Sequence, residues 1–275
     1  MTEYRVRQRD RGASVGFVPT MGALHEGHMS LVNQAVKENT VAVVSVFVNP
    51  IQFNNPDDFD KYPRTEEEDF KLLAEAGVDA VFAPTAKEMY PDENNHKEYP
   101  LGKVAEVMEG KYRPGHFQGV ARVLDILFRL VDPTRAYFGE KDFQQIAVVR
   151  NLIKSEGLNV EIIACPIKRA DDGLALSSRN QRLNEEERKL APEIYATLKY
   201  SVEYSKDHSV QATHDTVVEH LDAMPGMKVE YFEIVDARTL EPVDEWEESP
   251  WIVGCITVYL GDVRLIDNIA YRLPN

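Results

Sequence analysis

Through residue 165 the chain alternates short apolar runs with amphipathic stretches, and that alternation predicts its elements. VGFVP (15–19) reads as a strand. A helix follows from about Gly27 to Asn39, with Leu31, Val32, Ala35 and Val36 at helical spacing. TVAVVSVFV (40–48) is a continuous Val-rich run, the pattern of a strand buried on both faces. Thr65 and Glu68 form a capping-box signature that opens a helix ending at Gly77, and VDAVFAP (78–84) makes a third strand. FQGVARVLDILFRLV (117–131) reads as a strong helix closed by Asp132-Pro133, and RAYFG (135–139) as a fourth strand. A helix from Asp142 to about Glu156 leads to a fifth strand, NVEIIACP (159–166). Strict alternation of strand and helix means crossover connections, hence a Rossmann-like α/β fold: a parallel sheet with helices on both faces.

Near residue 167 the pattern changes. A polar stretch, KRADDGLALSSRNQRLN, precedes a helix opening at Asn184, and a second helical segment spans roughly 210 to 223. VEYFEIVD, WIVGCITVYL and VRLIDNIA follow, separated by turn-rich links, and predict a small antiparallel sheet. The expected organisation is a Rossmann-like domain over 1–167 and a smaller α+β carboxyl-terminal domain over 168–275.

Ligands of open α/β sheets lie beyond the carboxyl ends of the strands. Four polar clusters fall there: TMGALHEGH, NPIQF (49–53), GEKD (139–142) and the segment after the fifth strand. His25 and His28, three apart at a helix start, can face the same way. They lack the spacing and third ligand of a zinc site, so no metal is assigned. Gly22 and Gly27 allow close backbone approach, and the helix N-terminus favours an anion that imidazole N–H groups can reach. Two solvent-facing histidines in a turn are the bland alternative. Lys141 sits at a helix start, where the dipole disfavours it; neutralising a phosphate is a sufficient reason for it, and a plain surface lysine is the commoner one. Asp142 is placed to cap the helix or help hold Mg²⁺. Ser177, Ser178 and Arg179 offer two hydroxyls and a planar fork to phosphate oxygens, or form a plain linker. Gln52 and Gln145 are suited to an uncharged or hydroxylated substrate, Arg113 to an anion, and His116 to a structural role. No role is assigned to His208, His214 or His220.

Composition narrows the class. The 275 residues are 43% hydrophobic and 28% charged, an ordinary globular balance, with no apolar run long enough to cross a bilayer. The net charge of −15 repels a nucleic-acid backbone, and no basic patch offsets it. The acidic runs, Glu66 to Asp69 among them, read as solvated faces. Cys165 and Cys255 are isolated and read as reduced core thiols of a cytoplasmic protein. There is no dinucleotide fingerprint, Walker sequence or G-x-S-x-G.

A histidine pair after the first strand and an S-S-R loop after the fifth resemble the apparatus that HxGH/KMSKS-type nucleotidyltransferases use on ATP. More specifically, FVPTMGALHEGH, SVFVNPIQFN, YPRT, RPGHFQGV, FGEKDFQQ, DGLALSSRN and RLIDN match the pantoate–β-alanine ligase family in order and spacing, over essentially the whole chain. The resemblance implies ATP-dependent condensation of pantoate with β-alanine through a pantoyl adenylate, releasing AMP and pyrophosphate. Mg²⁺ would be held through the ATP phosphates. It implies that His28, His25, Lys141 and Arg179 are catalytic. ATP would be bound by Met21, His25, His28, Gly139, Glu140, Lys141, Asp142, Lys168, Leu176, Ser177, Ser178 and Arg179. Gln52, Gln145, Asn49 and Arg113 would hold pantoate or β-alanine. A cytoplasmic homodimer with small-molecule partners, a carboxyl-terminal lid, and no nucleic acid or membrane partner complete the expectation.

The chain departs from the family in three places. Only 15 residues precede Gly16, where the family has a strand and a longer helix, so a first strand is expected to be missing. Lys168 replaces a frequent valine, its backbone still expected at the adenine, and Leu176 replaces methionine, a near-isosteric swap. The rival readings are a nucleotidyltransferase that releases a dinucleotide or CDP-alcohol, a non-catalytic nucleotide sensor, and an RNA-binding relative of class I tRNA synthetases.

Overall fold

A computed structural model describes residues 12–92 and 97–274. Most of the segment ahead of Gly16, where a family strand was expected to be missing, lies outside the described residues. The chain divides into two compact units. One holds the described residues to Glu140 together with Gln144–Pro166, and the other holds Lys141–Phe143 and the chain from Ile167.

In the first unit, β1 (Val15–Thr20), β2 (Val41–Val46), β3 (Ala80–Phe82), β4 (Arg135–Gly139) and β5 (Glu161–Cys165) form a parallel sheet in the order β3-β2-β1-β4-β5. Every residue of β2 is buried, as the unbroken Val-rich run requires of a strand covered on both faces. The order reverses at β1: the chain builds outward through β2 and β3, then returns to lay β4 on the other side. That reversal makes a switch point, where loops diverge and leave a crevice at the carboxyl ends of the strands.

The Glu26–Glu38 helix buries Leu31, Val32 and Ala35 in a cluster with Val18, Val44 and Tyr137. Burial of each large apolar side chain contributes about 1.5–3 kcal/mol. The His116–Val131 helix, expected over 117–131, buries Phe117, Val120, Leu124, Leu127 and Phe128. Cys165 and Cys255 are free and buried, and burial pushes the Cys165 thiol up to about 11, so it stays protonated and inert.

Two expectations about the acidic helix start need correction. Thr65 stands at the N-cap of the Glu66–Glu75 helix, but its hydroxyl makes no capping bond; it donates to Asp69 Oδ1 at 3.2 Å. Glu66, Glu67 and Glu68 are exposed, whereas Asp69 is only 1% exposed. A buried carboxylate needs donors more than the helix end needs a cap, and the hydroxyl goes to it. The capping boxes that do form are Thr85–Glu88 and Asn184–Glu187. The short helices Pro56–Asp60, Ala86–Met89 and Glu109–Tyr112 were not anticipated.

The second unit carries β6 (Met227–Asp236), β7 (Ile252–Leu260) and β8 (Val263–Arg272), antiparallel in the order β6-β7-β8. Helices Glu193–Tyr204 and Val210–Asp222 bury Leu198, Val217 and Leu221 with Phe232, Ile256 and Val258. The helix opening at Asn184 ends at Leu190, and a new one begins after Pro192, which has no N–H to continue the ladder. No helix among the described residues is long and apolar enough to cross a membrane.

One glycine fixes a loop by the side chain it lacks. A Cβ on Gly119 would lie 2.5 Å from Ile51 O and 2.9 Å from Gln52 Cα, so the turn Pro50–Gln52 rests directly on the helix backbone. Gly119→Ala drives backbone into backbone, an overpacking that costs about 1–3 kcal/mol. Thermal unfolding of the variant should begin several degrees below wild type; an unchanged midpoint would mean that the turn retreats freely.

Candidate active site

The loop between β1 and the first helix is built around a buried acid. Gly22 (φ +77) and Ala23 (φ +49) both adopt left-handed backbone, which suits glycine and strains alanine. Asp69 accepts from Ala23 N and Leu24 N, each at 2.8 Å. A Cβ on Gly22 would meet Asp69 Oδ2 at 3.0 Å and Val46 Cγ1 at 3.1 Å. Gly22 N donates to Thr20 Oγ1, which itself donates to Ser45 O. The loop is thus tied to its own strand, to β2 and to the Glu66–Glu75 helix.

That loop delivers His25 to the head of the helix. His25 has extended backbone, and its Nδ1 accepts from Gly27 N at 3.1 Å. With Nδ1 used as an acceptor, the proton of the neutral ring sits on Nε2, which becomes a donor. His28, three residues on, shares the same face, and the two ring centroids are 4.1 Å apart at an interplanar angle of 34°. Two imidazoles therefore lie side by side, tilted against each other, at the positive end of a 13-residue helix, beside the switch point.

A second group of residues converges on the turn after β2. Gln52 Nε2 donates to Met21 Sδ at 3.2 Å, and Gln52 Oε1 accepts from Asn49 Nδ2 at 2.9 Å. Asn49, 1% exposed, also donates to Gly119 O and accepts from Tyr90 OH and Ile51 N, which occupies both its donors and both acceptor positions. Arg113 pairs with Glu109 and reaches Gln52 O at 3.3 Å; His116 Nδ1 donates to the same carbonyl at 2.8 Å. His116 is buried, in keeping with a structural part. Met21, Asn49, Gln52 and Arg113 thus form one connected network.

Gly139 and Glu140 leave the end of β4 half-buried. Gln145 lies half-buried in the first turn of the Phe143–Glu156 helix, and its amide makes no hydrogen bond among the described residues. The second unit holds the remaining candidates. Lys141 is half-buried and Asp142 exposed. Lys168 is exposed, with its carbonyl accepting from Leu176 N at 3.0 Å, so 168–176 folds back on itself through the Arg169–Ala175 bridge. Ser177 Oγ caps the turn Ser178–Arg182 by accepting from Arg179 N; Ser178 is buried and Arg179 half-buried. No group of three His, Cys, Asp or Glu among the described residues is arranged to hold a metal.

Asp69 is the site residue that the sequence concealed. It stood in a run of four acids whose other members are solvated, and only its place one turn along from Thr65 sets it apart. His208 and His214, given no role, stack on Tyr204 and Phe232 respectively.

Known proteins resemble the chain along nearly its whole length. The family described as pantoate-beta-alanine ligase matches residues 1–270. A pantothenate synthetase of Porphyromonas gingivalis is 55% identical over 272 residues, covering 99% of this chain and 96% of its own. The crystal structure of the pantothenate synthetase of Thermus thermophilus superposes with a TM-score of 0.90 at 46% identity, covering 94% of each chain. A pantoate-beta-alanine ligase of Francisella tularensis, crystallised with beta-gamma ATP and beta-alanine, superposes with a TM-score of 0.78 at 35% identity, covering 98% of this chain and 95% of its own.

Asp69→Ala strands two buried N–H donors, at about 1–3 kcal/mol each. Hydrogen exchange followed by mass spectrometry should show the amides of Ala23 and Leu24 exchanging at least about tenfold faster than in wild type. Unchanged protection would mean that the loop holds its shape without the acid.

Proposed function

The chain belongs to the pantoate-β-alanine ligase family, and on that premise we propose that it condenses pantoate with β-alanine to pantothenate, driven by ATP, through a bound pantoyl adenylate. A carboxylate oxygen of pantoate attacks the α-phosphorus of MgATP, the α–β anhydride bond breaks, and pyrophosphate leaves. The amine of β-alanine then attacks the acyl carbon and gives up a proton, and the bond to AMP breaks. Adenylation converts a poor electrophile into a good one without a covalent enzyme intermediate.

The observation that carries this reading is the His25–His28 ring pair, in contact at the helix head. Ring N–H groups fixed there meet phosphate oxygens as negative charge builds in the adenylation step, and a fixed donor loses nothing to reorganisation. We assign His28 as the leading catalytic group, with His25 beside it. Met21 borders the adenosine, and Gly139 to Asp142 take ribose and phosphates. On the second unit, Lys141 and Arg179 offset charge on the departing pyrophosphate, with Ser177 and Ser178 as further donors. Lys168 and Leu176 face the adenine. Gln52 and Gln145 hold the hydroxyls of pantoate. Asn49 contributes by orienting Gln52, since its own amide is fully engaged, and Arg113 steadies the same turn. The buried free thiols fit a reducing cytoplasm.

A substrate-omission panel with mass spectrometry tests the proposal. Pantothenate and AMP should form only when ATP, pantoate and β-alanine are all present; ADP, or AMP release indifferent to pantoate, would overturn it. His28→Ala should lower adenylate formation by about 100- to 1000-fold with the fold intact, as loss of an oxyanion donor does; an undiminished kcat removes His28 from its role. Gln145→Ala should raise the KM for pantoate by about tenfold and leave that for ATP unchanged. A change confined to ATP would reassign it.

A further inference from the structure

The RLIDN segment in β8 is left without a part in the chemistry, yet its last two residues reach segments that have one. Asp267 and Asn268 are both buried. As consecutive residues of a strand they project to opposite faces, so each meets a different element. Asp267 takes Arg169 in a two-point clamp, Oδ2 from Nη1 at 2.6 Å and Oδ1 from Nη2 at 2.9 Å. Arg169 also donates to Gly173 O at 3.2 Å and lies over the Tyr195 ring, 3.5 Å from its centroid. Those contacts fix the fold-back of 168–176, which runs directly into Ser177, Ser178 and Arg179. Asn268 Nδ2 donates to the carbonyl of Lys141 at 3.1 Å, and Asn268 N donates to Asp267 Oδ1 at 2.8 Å.

We propose that Asp267 and Asn268 are positioning residues for the nucleotide: a splint within the second unit that fixes the Lys141 turn and the Ser177–Arg179 loop in one register. Neither touches substrate. Their contribution is geometric, because a phosphate clamp built from separate segments is useful only if the segments keep their spacing. The inference rests on the nucleotide assignment made above for Lys141 and Arg179. A bidentate arginine–carboxylate pair holds orientation as well as distance, which a lysine or a single bond would not.

The test compares Asn268→Ala and the isosteric Asp267→Asn with Asp236→Asn. Asp236 is a buried acid of β6 in the same unit, and it accepts from Arg238 Nη2, Arg238 N and Thr239 N. The Arg238 guanidinium holds its carboxyl well below the usual carboxylate range, so its loss also costs stability. Both splint variants should raise the KM for ATP and lower kcat by about tenfold, leaving the KM values for pantoate and β-alanine within about twofold. Asp236→Asn should lower the melting temperature comparably with all kinetic constants near wild type. ATP constants within about twofold of wild type in both splint variants overturn the proposal, as do losses that simply follow melting temperature or fall equally on all three substrates. Calorimetric titration with MgATP in the absence of pantoate separates this inference from the function it rests on. If the wild-type chain gives no pantoate-dependent AMP, the function fails, and affinity for MgATP still decides the splint. Binding about tenfold weaker in the variants supports it, and equal binding overturns it.

Discussion

A carboxylate taken out of water is costly unless donors replace the water, and Asp69 shows what a fold can build on that constraint. Its donors are the backbone N–H groups of Ala23 and Leu24 and the hydroxyl of Thr65. Because the acid must keep them, the loop after β1 must keep a shape that its own sequence resists, with alanine in left-handed backbone. The hydrogen bonds to the acid offset both its burial and the strain in the loop, and neither partner relaxes alone. The result is a fixed departure point for His25, whose ring caps the helix and whose carbonyl accepts the first helical bond from Met29. The paired imidazoles inherit their position from an aspartate that acts through the backbone of the loop.

The same constraint governs the turn after β2. Gln52 is held on its backbone by His116 and Arg113, and on its side chain by Asn49 and Met21. Gly119 lets the turn seat on a helix without a gap. An amide held at both ends presents its remaining lone pair and hydrogen in fixed directions. Asn49 sits one step behind it, fully bonded and out of reach of solvent.

The parallel sheet was legible because its signal is local: Val-rich strands, amphipathic helices and turn residues recur in strict order, and β4 runs over the residues expected. The antiparallel sheet was legible for the same reason. What the sequence did not disclose depends on partners distant along the chain. Asp69 in its acidic run looks no different from Glu66, since nothing local says that one carboxylate turns inward to meet Ala23. Asn268 gains its meaning only from the carbonyl of Lys141, 127 residues away. The capping box at Thr65 failed because a tertiary demand outranked a local one. The split at Pro192 was a local signal, and proline without an N–H is reason enough for it. Motifs single out candidate residues for chemistry; the residues that hold those candidates still carry no local signal.

That division matters because the chain is acidic. At a net charge of −15 its field repels any anionic ligand, so such a ligand gains nothing from long-range steering. Screening confines that repulsion to about 8 Å at physiological ionic strength, and within that distance the outcome belongs to individual donors. Fixed donors such as those at a helix head are few, and each counts only if it stands in place before a ligand arrives. Buried acids need not add to that repulsion: Asp69 and Asp267 are directed at backbone N–H groups and an arginine inside the protein, where they fix loops. An acidic enzyme can in this way bind anions with a small number of positive groups, provided that much of its buried polarity is committed to holding them still.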